Sequence, residues 1–188
     1  MKVPRSDDDL MLAYARGDVQ AFEVLYERYR QPLYRYLFHA VGDRSTADDL
    51  YQDVWSRIID ARARFQKDRG FKRYAFRIAH NRLIDHWRAQ GRQNVDGEFD
   101  DQLFPAPAHD QPDHAGEREQ QAHQLRRALM ELSVEQREAF LLQQEAGLSL
   151  ADIAEHSGVG RETVKSRLRY AVKRLRMLLS PGPEATGP

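Results

Sequence analysis

The segment LSLADIAEHSGVGRETVKSRLR, Leu148 to Arg169, decides the fold of the chain around it: it reads as a capped helix, a tight glycine turn and a basic helix. That is the layout of a helix-turn-helix, which lays its second helix against DNA. Ser149, with Asp152 three positions on, forms a capping box for the first helix, and Gly158 supplies a turn backbone that residues with side chains resist. In the second helix Val164 and Leu168 lie four apart on one face, while Arg161, Lys165 and Arg169 share another. One face packs and the other is free to meet a polyanion.

Helical hairpins with basic faces also occur in proteins that bind no nucleic acid, and charge density separates the two readings. From Arg161 to Arg176 seven basic residues stand against Glu162 alone, a local charge of +6 in a chain whose total is zero. A merely solvated face mixes signs. The neutral total therefore hides segregation, and a polyanion responds to the local field. The 188 residues suffice for one or two small domains, and the absence of cysteine excludes disulfides and thiolate metal sites, as suits a reducing cytoplasm. No apolar run reaches membrane-span length, so no stable membrane insertion is expected, and Met1 to Leu10 is too polar and acidic to resemble a signal peptide.

Four helical patterns fill residues 7–93. Leu10, Met11 and Tyr14 make a short stripe ending at Gly17. Asp18 then caps a long helix through Phe22, Leu25, Tyr26 and Tyr29, which Pro32 kinks or restarts before it ends at Gly42. Ser45 with Asp48 reads as a capping box for a third helix through Leu50, Val54 and Ile58. The fourth runs from Phe71 to about Arg88. Residues 94–118, with Pro105, Pro107, Pro112 and seven acids against Arg118, read as a flexible acidic linker. His109 and His114 fall within it, and a tract of this composition explains them better than a metal site does. Residues 119–180 form the second unit, in which Ser133 caps a helix through Phe140, Leu141 and Leu142, and residues 181–188 form a disordered tail. The fold class is all-α: two small helical domains on a flexible tether, the second containing the helix-turn-helix.

The fourth helix is a second basic element. Between Phe71 and Arg92 it carries six basic residues against Asp85, interleaved with Phe71, Tyr74, Phe76, His80, Asn81, His86 and Trp87. Cations neutralise phosphates, aromatic rings stack on unpaired bases, and Asn offers paired hydrogen bonds to a base edge. Tyr74, Ile78, Leu83 and Trp87, at helical spacing, suit the core of the first domain.

Three motifs, ADDLYQDVW (47–55), FKRYAFRIAHNRLIDHWR (71–88) and TVKSRL (163–168), resemble in this order conserved regions two and four of the extracytoplasmic-function (ECF) sigma factors of bacterial RNA polymerase. The resemblance implies a protein that binds core polymerase, directs it to promoter DNA and helps open the duplex, with an anti-sigma factor as a further partner. It implies core docking by Asp48, Asp49, Gln52 and Asp53, whose carboxylates suit a basic helix. It implies contact with the −10 element by Lys67, Phe71, Arg77, His80, Asn81, Arg82, Asp85 and Arg88, including capture of an extruded base. It implies contact with the −35 element by Arg161, Glu162, Thr163, Lys165, Ser166 and Arg169, with Arg167 and Lys173 on phosphate. The chain departs from the family at Tyr74-Ala75-Phe76, where a Trp-Leu-Tyr-like triplet is common, and at Tyr170, where arginine is common.

A linker of 25 residues reaches at most about 90 Å, and promoter elements two helical turns apart lie roughly 70 Å from one another. The tether can therefore span them without forcing the domains into contact. No cofactor is expected, and no nucleophile, base and oxyanion set or phosphate loop suggests an enzyme. The rival reading is a stand-alone two-domain transcriptional regulator that binds duplex DNA without polymerase.

Overall fold

Asp18 and Gly42 bracket the helix on which the rest is assembled. In the computed structural model, which describes residues 5–67, 70–90 and 115–180, with side chains of the last stretch from residue 119 on, α2 spans Val19–Val41. Asp18 accepts the Ala21 amide at 3.1 Å, and Gly42 closes the helix in the left-handed conformation with its N–H on the Phe38 carbonyl. Pro32 sits inside this helix without ending it. Around it pack α1 (Asp7–Ala15), α3 (Arg44–Asp60), a short 3-10 turn (Arg62–Arg64) and α4 (Phe71–Gln90). Leu25, Leu33, Tyr36, Leu37, Ile58, Phe71, Phe76 and Leu83 are withdrawn almost completely from solvent among these elements.

Two boundaries differ from the sequence reading. Helix α3 begins one residue before Ser45 and is capped by Asp43, which accepts the Thr46 amide at 2.7 Å. Asp43 directly follows the turn glycine with extended backbone, so its carboxylate reaches the first helical amides before Ser45 can. That bond, with burial opposing it, holds the Asp43 carboxyl below the usual range. In the second half, α5 (Ala115–Met130) starts within the stretch assigned to the linker. His109 and His114 lie outside the described residues.

Helices α6 (Val134–Gln144), α7 (Leu150–Ser157) and α8 (Arg161–Leu179) follow α5. Ser133 caps α6 through the Gln136 amide. The box at Ser149 and Asp152 is complete, each side chain bonded to the other residue's backbone, and Gly158 ends α7 in the left-handed conformation. Val164, Leu168, Ala171 and Leu175 turn one stripe of α8 onto Leu141, Leu142, Ile153 and Ala154, all buried. Among the described residues there are eight α-helices and no strand.

The two halves share one continuous core, α2 packing on α5 and α6 and α4 on α7. A Cβ built on Gly42 would lie 3.0 Å from the Met130 sulfur of α5, so a small residue is needed here for close approach as well as for its φ of +78°. Gly42→Ala is expected to destabilise the chain by about 1–2 kcal/mol, the usual penalty of left-handed backbone for a residue bearing Cβ. Urea unfolding measures it, and an unmoved midpoint would contradict the assignment.

Candidate nucleic-acid interface

Helix α8 is anchored by its apolar stripe, which leaves Arg161, Glu162, Thr163, Lys165, Arg169 and Lys173 exposed and Ser166 and Arg167 half-buried. The cations at 161, 165, 169 and 173 recur every four residues and form one row. Lys165 is held by Glu162 at 2.7 Å, an ion pair that lowers the Glu162 pKa, and the Arg169 guanidinium lies 5.2 Å from the Tyr170 ring centre. Beside this row runs a shallow groove of about 630 Å³ with Leu150, Leu168, Val172 and Met177 in its lining. A cationic row on a helix braced by the turn at Gly158 has the form needed to follow a DNA groove.

On α4 the residues proposed from sequence divide into two sets. Arg77, Asn81, Asp85 and Arg88 are exposed along one face. Arg82 is half-buried, ion-paired with Asp53 of α3, and its Nη1 donates to Asp85 at 3.2 Å. Asn81, Arg82, Asp85, Tyr74 and Ile78 line one wall of a cleft of about 660 Å³, with Asp53 and Arg57 of α3 opposite. Lys67 is exposed and paired with Asp9 at 2.7 Å, an interaction that raises its pKa.

Phe71 and His80 do not join that face. Phe71 is 1% exposed and packs edge-on against Tyr29, so it is core. His80 is turned into the seam between the halves, bonded to Glu138 of α6. The cause is helical phase, since 80 lies on the stripe with Phe76 and Leu83, whereas 77, 81, 85 and 88 lie on the other.

The acidic positions of α3 are unequal too. Asp49 and Gln52 are exposed, and Asp48 accepts the Tyr34 hydroxyl at 2.7 Å with Arg44 at 3.8 Å. Burial, then the carboxylate, pushes the Tyr34 phenol up to about 12. Asp53 receives Arg57 at 3.3 Å and also Arg82, so it joins the acidic face of α3 to the α4 cleft.

A further set of residues was not singled out in the sequence. Glu138, Glu145, Asp152 and Glu155 of the second half meet His80, Arg35, His39 and Arg73 of the first. Arg73 lies 3.0 Å from Asp152 and also pairs with Glu155. Burial raises the Glu145 pKa, but His39 at 3.2 Å and Arg35 at 2.9 Å outweigh it and leave the carboxyl low. Burial also lowers the His156 pKa, and that ring reaches the Arg73 carbonyl at 3.2 Å. Asp152 was marked only as a cap and no sequence signal marks Glu138, Glu145 or Glu155, because each is an ordinary helix residue until the partner half is in place. Among the described residues no group of three or more His, Asp or Glu is placed to hold a metal, and no helix is long and apolar enough to cross a membrane.

Comparison with known proteins agrees with this layout. Residues 25–93 match the family profile of Sigma-70 region 2 and residues 122–175 that of Sigma-70, region 4. The chain is 33% identical to the ECF RNA polymerase sigma factor SigM of Mycobacterium tuberculosis, covering 93% of this chain and 85% of that one. It is 28% identical to SigX of Bacillus subtilis, covering 84% and 82%. The sigma factor RpoE from Bartonella quintana, solved in complex with the anti-sigma factor NepR, superposes with a TM-score of 0.67 at 28% identity, covering 84% of this chain and 96% of RpoE. CnrH, solved with the cytosolic domain of CnrY, has the same fold at a TM-score of 0.69 and 24% identity, covering 93% and 97%. Helix-turn-helix, acidic α3 and basic α4 thus stand in one chain with both sigma regions in order, and the protein belongs to the ECF RNA polymerase sigma factors.

Proposed function

We propose that this sigma factor holds core polymerase with α3 and promoter DNA with α4 and α8. The observation that carries the reading is the separation of three charged faces: the acids of α3, the exposed row Arg77, Asn81, Asp85 and Arg88 of α4, and the cationic row of α8. Asp48, Asp49, Gln52 and Asp53 meet a basic helix of the core enzyme. The α4 row follows the −10 element, and the cleft beside Asn81 and Arg82 receives an unpaired base. Arg161, Lys165 and Arg169 read the −35 element, with Lys173 on phosphate. The chain performs no covalent chemistry and acts in the cytoplasm, where polymerase is.

The closed arrangement supports one addition. Asp152 and Glu155 occupy Arg73, so part of the basic surface of α4 is neutralised within the chain, and Glu138 holds His80 in the seam. Binding to core separates the halves and uncovers it. RpoE was solved with an anti-sigma factor; we propose a partner of that kind here, one that holds the halves together.

The deciding experiment mixes the chain with core polymerase and a supercoiled template. Comigration and initiation support the reading, whereas tight duplex binding without core would favour a stand-alone regulator. Reversing Arg161, Lys165 and Arg169 to Glu is expected to abolish promoter-directed starts and leave comigration with core intact. Single Arg→Ala changes there should weaken binding by about 1–3 kcal/mol where a base is read, and Lys173→Ala should lower the salt slope of binding by about one. Asp49→Lys with Gln52→Ala should show the opposite pattern, losing comigration while thermal stability stays within about 0.5 kcal/mol, as for exposed positions generally. Asp152→Asn with Glu155→Gln should raise the affinity of the free chain for a mixed-sequence single-stranded 20-mer, read by fluorescence anisotropy.

A further inference from the structure

Helix α4 has an unusual start. The residue before it, Gly70, has a φ of +73° and no side chain with which to cap. The Phe71 amide donates instead to the Asp8 carboxylate at 2.5 Å, so the cap comes from α1, 63 positions earlier in the chain. A helix whose first turn is capped from another element takes its direction from that element.

The neighbours of Asp8 extend the same attachment. Asp7 accepts the Tyr29 hydroxyl and pairs with Arg28 at 2.5 Å, which fixes α1 to α2. Asp9 accepts the Ser6 hydroxyl at 2.7 Å and holds Lys67 at 2.7 Å. At the other end of α1 the Arg62 guanidinium lies 5.7 Å from the centre of the Tyr14 ring, which ties down the 3-10 turn after α3. Three consecutive acids thus have three separate tasks. Together with Tyr14 they fasten residues 62–67 and the first turn of α4 to one short helix, which is itself capped by Ser6 through the Asp9 amide at 3.2 Å. Apolar contact secures the same region from below, where Phe71 packs on Tyr29 at 5.0 Å and Phe65 on Tyr74 at 5.4 Å.

We infer that α1 is the positioning strap of the promoter-opening surface, and that Asp8 is a positioning residue: it sets the first turn of α4 so that Tyr74, Ile78, Asn81 and Arg82 line the cleft in a fixed geometry. The inference rests on the reading that this cleft receives an unpaired base. Asp8 touches no DNA in this scheme and acts through the Phe71 amide. Loss of the carboxylate lets the first turn fray, and the cleft wall loses its register against α3, while the exposed Asp49 and Gln52 of α3 keep their place.

The test uses the full chain with core polymerase on a promoter located by mapping transcript starts, with duplex opening read as permanganate reactivity of unpaired thymines. Asp8→Ala is expected to lower opening about tenfold and leave comigration with core unchanged. A template already opened by a mismatched bubble should restore initiation to within about threefold, because the step that needs the rigid cleft has been bypassed. Asp8→Asn keeps an acceptor oxygen and should return opening to within about twofold of the parent. Asp9→Asn, an exposed change that releases Lys67, should give an intermediate loss. Opening by Asp8→Ala equal to the parent overturns the inference. So does equal loss of comigration, opening and bubble-template initiation, which would make Asp8 a residue of general stability. Failure of the parent itself to open any mapped promoter would instead overturn the function on which the inference rests.

Discussion

Arg137 and Glu138, adjacent on α6 and both buried, hold the closed molecule together. A charge taken out of water needs partners, and Arg137 finds them in both halves while Glu138 finds its partner across the seam. The Arg137 guanidinium donates to the Ala40 carbonyl of α2 at 2.7 Å and to the Leu132 carbonyl at 3.4 Å, while burial depresses its pKa. Glu138 meets His80 of α4. Two neighbouring residues on one helix thus fix α6 against both α2 and α4. Apolar contact alone tolerates sliding, whereas these directional bonds select one register, and the pairing of Arg73 with α7 follows from it.

The same seam also buries polar groups that it leaves unpaired. The hydroxyls of Tyr36 and Ser157 and the Arg137 Nε are buried without a hydrogen bond among the described residues. Burial, reinforced by Glu138, raises the Tyr36 pKa well above its usual value. Unsatisfied buried donors are uncommon in a permanent core, because each forfeits its bond to water. Opening returns that water to them. Such groups are not confined to the seam, since Trp55 Nε1 and the Tyr74 hydroxyl of the first half are also buried without a hydrogen bond.

Most of the fold was legible in the sequence because it is written in local signals. Asp18, Gly42, Ser133, Ser149 and Gly158 each mark a helix end by side-chain chemistry or by glycine's backbone freedom, and each does so in the structure. Asp43 was overlooked because two candidate caps lie two residues apart, and backbone conformation decides between them. The exposed parts of the candidate site, Arg77, Asn81 and Asp85 on α4 and the α8 row, followed from residue type. Phe71 and His80 did not, since a basic aromatic helix advertises the same chemistry on both faces and only packing says which is buried. The acids of the seam and the cap by Asp8 were beyond sequence reasoning altogether. They depend on residues 58 to 110 positions apart being brought together.

The balance of 29 basic and 29 acidic residues takes its meaning from this arrangement. A chain that must approach a polyanion while carrying no net charge relies on where its charges sit, and here the acids of the second half cover cations of the first. The cover has two layers with different responses to salt. Arg35 and Glu155 are more than half exposed on their side chains, so the pairs they make weaken as ions screen them within about 8 Å at physiological strength. His80 and Glu138 are buried, and screening reaches such a pair far less. Raising salt therefore loosens the rim without opening the seam. Full exposure of α4 requires a competitor that gains more by docking on the separated halves than the buried pair and its apolar surround lose, and a large partner that engages both halves at once meets that condition where isolated DNA does not.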